Sequence, residues 1–162
     1  MLTHRKIITA LLALTAAAGL CLAEEPAPAK FFKLDFVIKE VDGAKLLNSR
    51  SYSLTTSDGA GHNSIRVGSK VPVVNKTQYL DVGVSIDVIN IKEVQNRLSF
   101  TLAAEVSSIP AGTTSDGNPV IRQNRWNSAV IVPFKKPTVL FSSDNLDAKS
   151  QLQIEVTAAP IP

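Results

Sequence analysis

Cysteine, histidine and aromatic residues are all scarce in this chain, and each shortage removes a class of function. Cys21 is the only cysteine, and His4 and His62 are the only histidines. No Cys/His set exists for a structural zinc, and no intrachain disulfide can form. A nucleophilic triad would have to draw on His62, which stands in the turn-rich string SDGAGHN, and no GxSxG elbow is present. After residue 30 no stretch repeats its apolar residues at the helical period, so no glycine-rich loop opens a helix to cradle a nucleotide. Aromatic residues make up 6% of the chain, too few for the two girdles of a transmembrane β-barrel. The chain is therefore expected to be no enzyme and to use neither a cofactor nor a metal. Asp58, Asp116, Asp144 and Asp147 lie in loop sequences, where they are expected to cap turns instead of holding calcium. Asp81 and Asp87 share the polar face of one predicted strand, which is where a solvated sheet puts its charges.

Long apolar runs are absent too, with one exception. His4, Arg5 and Lys6 precede sixteen nearly all-apolar residues, Ile7 to Leu22, and Cys21 and Ala23 supply small residues at the −3 and −1 positions. A bilayer-spanning helix needs about 20 apolar residues, so this pattern predicts a signal peptide over 1–23, cleaved after Ala23. Leu20 stands where a lipobox needs a small residue, so Cys21 is not expected to carry lipid. Export into the periplasm, or to the outer membrane, is the expected location. Loss of Arg5 and Lys6 lowers the formal net charge from +3 to about +1. No clustered Lys/Arg face remains, and nucleic acid is not an expected partner. The 139 residues left suffice for one core that buries about two-thirds of the unfolded surface. Residues 24–30, EEPAPAK, read as a Pro/Ala linker, and 31–162 as a single domain. Asn75-Lys76-Thr77 is a glycosylation sequon in form, but no glycan is expected on it.

What is abundant is alternation. Leu80, Val82, Val84, Ile86 and Val88 fall on one side of a predicted strand, and Leu98, Phe100, Leu102, Ala104 and Val106 on one side of the next. Period-2 patterning on both sides of a short polar turn predicts a long antiparallel hairpin, Tyr79 to Ile109, around which the domain is organised. Upstream, Phe32, Leu34, Phe36 and Ile38 alternate, Asp42-Gly43 marks a turn, and a return strand carries Tyr52 and Leu54. The run from Ser64 to Val74 contains Gly68, which predicts a bulge or a close backbone approach, and Pro72, which predicts an edge or a strand end. The stretch PAGTTSDGNP, 110–119, reads as a long loop; TTSDG occurs in it and at Thr55 to Gly59, two turns of the same composition. Strands are expected over Val120 to Val132, Thr138 to Ser142 and Gln151 to Ala159. About eight strands and no helix predict an all-β antiparallel sandwich or small open barrel.

Four blocks in order carry a family resemblance. They are IRVGSKVPV from Ile65, YLDVGVSIDV from Tyr79, LSFTLAAEVSSI from Leu98 and PVIRQNRWNSAVIV from Pro119. Together they resemble the C-terminal β-domain of secretins, the outer-membrane ring proteins of type II and type III secretion and type IV pilus systems. The resemblance departs after the fourth block, where Ser142 and Ser143 stand in place of the family's glycine pair. With about 40 residues between the predicted leader and Ile65, a short stand-alone relative is expected. What the resemblance implies is a secretin-like fold and a role through protein partners or self-association by strand addition, with membrane association through such partners. Gly68 and Pro72, and the strand Thr138 to Ser142, mark the expected edges. Arg125 and Trp126 are the remaining candidate interaction residues, since a Trp flanked by Arg and Asn can stack a ring. The rival expectation is a periplasmic β-sandwich that binds peptide or carbohydrate through loops around Thr113 to Trp126.

Overall fold

The computed structural model describes residues 28–72, 78–110, 114–115, 118–145 and 149–162. The predicted leader, most of the linker, the Asn75 sequon, Asp116 and Asp147 lie outside these residues. The strands are β1 (Phe31–Asp42), β2 (Lys45–Ser57), β3 (His62–Pro72), β4 (Tyr79–Val94), β5 (Arg97–Ser108), β6 (Thr114–Ser115), β7 (Asn118–Pro119), β8 (Arg122–Pro133), β9 (Thr138–Asp144) and β10 (Gln151–Ile161). No helix occurs among the described residues. Eight of the strands form two four-stranded antiparallel sheets, in the orders β2-β1-β10-β9 and β3-β4-β5-β8. The expected sandwich is thus the observed architecture, with both sheets open at their edges.

Alternation dictates where the core lies. Phe32, Leu34, Phe36 and Ile38 of β1 pair across β10 with Pro160, Ala158, Val156 and Ile154, and most of this row turns inward. From the other layer come Val84, Ile86 and Val88 of β4, Leu98, Phe100, Leu102 and Ala104 of β5, and Val132 of β8. Each such aliphatic or aromatic side chain withdrawn from water contributes about 1.5–3 kcal/mol. β1 and β10, the first and last strands, run side by side from Phe31↔Ile161 to Val41↔Gln151.

Three local features depart from plain period 2. In β4 the register shifts between Ile89 and Lys92, with Asn90 at φ +56°, and this bulge carries Ile91 into the core three residues after Val88. Strict alternation would have turned Asn90 inward. Leu80, expected on the core face, is 43% exposed, because the buried row of β4 begins at Val84. The 110–119 stretch, expected as a loop, contains the small pair β6 and β7, with Thr114↔Pro119 and Ser115↔Asn118. The turn of the organising hairpin places Gln95 at φ +50° and Asn96 at φ +59°, the left-handed pair that matches strand twist.

Candidate interaction edges

A sheet that does not close leaves two strands with unpaired backbone groups, and here that happens in both layers. β2 and β9 are the outer strands of one sheet, and β3 and β8 those of the other. The chain crosses between layers from β2 to β3 and again from β8 to β9, so each flank of the sandwich presents two open edges, one above the other. The two expected edges are both real edges, but on opposite flanks and in different sheets. Their companions, β2 and β8, were not read as edges from the sequence. A signal for β2 existed in its first half, KLLNSR, which is exposed on both faces.

Gly68 and Gly83 face each other across β3 and β4. A Cβ on Gly68 would run into the Val82 carbonyl oxygen, and one on Gly83 into that of Val67, so the backbones approach too closely for any side chain. Of the two expectations for Gly68, a close approach is the one realised, with the β3·β4 register unbroken. Gly83, at φ +152°, donates its N–H to Ser107 Oγ at 2.9 Å, and the buried Ser107 hydroxyl replaces a ladder bond that the twisted backbone does not make. Pro72 is the last residue of the edge strand β3, where its missing N–H removes no ladder bond to a further strand.

The outward face of the β3 sheet is a ladder of ion pairs. Asp87 accepts both Arg66 Nη2 bonds at 2.7 and 2.8 Å and lies 2.8 Å from His62 Nε2. Arg125 Nε donates to Glu105 Oε2 at 2.9 Å. Partial burial alone would raise the Asp87 pKa, but the hydrogen bonds and charges of Arg66 and His62 outweigh it and hold Asp87 below the ordinary carboxylate value. Burial acts on Glu105 in the same sense and is outweighed by Gln123 and Arg125. Arg125 is thereby committed to a neighbour within the sheet.

Trp126 points inward from β8 and stacks on Phe141 of β9, with ring centroids 4.2 Å apart and 3° between planes. This pair closes the gap between layers on the β8/β9 flank. One face of the indole is therefore occupied by the protein itself, and its Nε1–H is buried without an acceptor. Below it, Phe134 stacks on Phe32 at 5.7 Å, and Lys135 N–H donates to the Ala158 carbonyl at 2.7 Å, which pins the second crossing. Among the described residues no group of three His, Cys, Asp or Glu could hold a metal ion, and no helix is long and apolar enough to cross a membrane.

No family model matches the sequence, and no curated protein matches it closely enough to place it. Solved structures do match. The secretin XcpQ of the Pseudomonas aeruginosa type II secretion system superposes with a TM-score of 0.62 at 11% identity, over 97% of this chain and 63% of that one. The Klebsiella pneumoniae type II outer-membrane complex of PulD, PulS and PulC gives 0.59 at 12% identity, over 96% and 43%. The Salmonella type III injectisome secretin InvG gives 0.52 at 10% identity, over 97% and 70%. The fold is that of a secretin domain. The secretin-like sheets account for nearly all of this chain but for only about half of chains such as PulD.

Proposed function

We propose that this secretin-like protein is an exported, non-catalytic component of the cell envelope that acts by adding strands edge to edge, to further copies of itself and to envelope partners of a secretion or pilus machine. The observation that carries this reading is the matched pair of open edges on each flank. All neighbours within each sheet are antiparallel, so β8 runs opposite to β3 and β9 opposite to β2. A second copy translated sideways brings its β3 to β8 and its β2 to β9, continuing both layers at once with antiparallel seams. The contact is head-to-tail, and repeated with a constant rotation it closes a ring with two concentric walls. The similar structures support the setting: one is an outer-membrane complex of PulD, PulS and PulC, and InvG is the secretin of a type III injectisome.

The test is solution mass by light scattering on a sizing column, with and without mild detergent. A discrete, detergent-resistant oligomer is expected. Val67→Lys on β3 and Ile131→Lys on β8 add a charge to each edge at half-exposed side chains, and each is expected to return the protein to a folded monomer. A wild-type monomer at all accessible concentrations would sink self-association.

A further inference from the structure

Each row of side chains that crosses a sheet on its core face ends at two open edges, and the two ends need not be alike. In the β2-β1-β10-β9 sheet, Arg50 stands opposite Ile38, Ile38 opposite Ile154, and Ile154 opposite Phe141. Residues opposite one another share a face, so all of them lie on the inward side. Ile38 and Ile154 are buried, and the row closes with Arg50 at one edge and Phe141 at the other. In the β3-β4-β5-β8 sheet, Ile65, Ile86, Ala104 and Trp126 form a row of the same kind. Both rows therefore finish in an aromatic ring on the β8/β9 flank, and in Arg50 and Ile65 on the β2/β3 flank.

Nothing within one protomer accounts for Arg50. Arg66, Lys70 and Arg125, which lie on the edge strands of the other sheet, each hold a carboxylate. Arg50 is exposed on a core-facing row and forms no ion pair among the described residues. On the opposite flank, Trp126 covers one face of Phe141 at 4.2 Å between centroids, and both rings are only partly buried. Phe141 has a second face. A guanidinium is planar, weakly hydrated and attracted by the negative face of a ring, so it is the cation suited to lie there.

We propose that Arg50 of one copy stacks on Phe141 of the next, and that this contact selects the head-to-tail seam. It rests on the edge-to-edge reading above and adds the side chains that fix which edges meet and in what register. A copy moved sideways without slip brings Arg50 onto the row of Phe141, and in the other layer brings Ile65 onto the row of Trp126. A slip of one residue would turn Arg50 to the outer face, away from the ring. A slip of two leaves it a diagonal neighbour, still within reach of so long a side chain. Unlike flanks alone supply both partners: two β2/β3 flanks set together would bring two Arg50 cations to one seam, and two β8/β9 flanks would bring rings without a cation.

Light scattering over a dilution series of the purified protein reads the contact as the midpoint concentration of association. Arg50→Gln is expected to raise that midpoint about fivefold while the melting temperature stays in place. Lys45→Gln removes the same charge from the same edge strand at an exposed position off this row, and is expected to leave the midpoint unchanged. Phe141→Leu keeps an apolar side chain without a ring face and should match Arg50→Gln. Because the contact is head-to-tail, mixing the two variants restores one intact pair between unlike copies, and the mixture should associate more tightly than either variant alone. Unchanged association in a folded Arg50→Gln protein, or a mixture no tighter than its parts, would overturn the proposal. Tighter association of Arg50→Gln would overturn it too, by showing that Arg50 guards the edge against pairing. A wild-type monomer would remove the seam and this contact with it, whereas a wild-type oligomer indifferent to Arg50 would leave edge pairing standing without it. Should Phe141→Leu lose its cooperative melt, the comparison of Arg50→Gln with Lys45→Gln decides alone.

Discussion

A methyl group added at Gly83 would press on the Val67 carbonyl oxygen and would fix an L residue at φ +152°. Both faults fall on backbone atoms, which cannot swing aside as a side chain end can. Gly83→Ala is therefore expected to cost about 2–4 kcal/mol, read from the urea midpoint at constant slope. Ser107→Ala tests the neighbouring repair: it leaves the Gly83 N–H without its acceptor and should cost about 1–3 kcal/mol. Charge acts at this scale too. Asp87 and Glu105 have pKa values lowered by their partners, so their contribution is whole above the ordinary carboxylate pKa of about 4 and is lost as pH falls through the lower folded values. The melting temperature should be flat from about pH 7 to 5 and fall below about pH 4. Asp87→Asn should blunt that acid fall; an unchanged acid limb would show that the pair adds nothing.

At the scale of strands, the Trp126 and Phe141 stack is the joint between β8 and β9, and the single tryptophan makes it observable. Phe141→Ala opens one face of the indole to water. A red-shifted emission with the fold kept is expected, together with a loss of about 1–3 kcal/mol in stability, less than for a fully buried ring. Unshifted emission would mean that the stack does not shield the ring. The strands themselves were largely legible in the sequence. Period 2 located β1, β5 and β10 because one face of each is buried along most of its length, and β4 through its buried row from Val84 to Val88. It failed where the backbone adds a residue, as at Asn90, since a bulge inverts the phase without changing composition. It was silent on β6 and β7, whose two-residue pairing has no apolar row to show.

For the whole molecule, the sequence reached the sandwich and two of its four edges, while the pairing of those edges on two flanks depends on strand order, which no local pattern encodes. Pro72 marks β3 as an edge because a proline has no N–H to give to a further strand; β2 and β8 carry no such residue, and only the strand order makes them edges. The flanks of Trp126 make it a candidate for stacking a ligand ring, yet the ring it stacks on lies fifteen residues on, in the other layer, and stacking across layers leaves no trace in spacing. The core spans both sheets, so a charge placed at Phe100 should abolish the melt of the whole molecule; a Phe100→Asp variant that kept its transition would refute this core.

The partnership of β1 with β10 also sets a timetable. β3, β4 and β5 succeed one another as hairpins and can pair as soon as each is made, but β1 keeps a bare inner edge until the last strand arrives. A nascent chain is thus committed late, since one layer is finished only when residues 151–161 have emerged. A chain arrested after Asp144 should resist protease within β3–β5 and remain cleavable through β1 and β2. Release of the final strand would then convert an open, threadable polypeptide into a closed one in a single step.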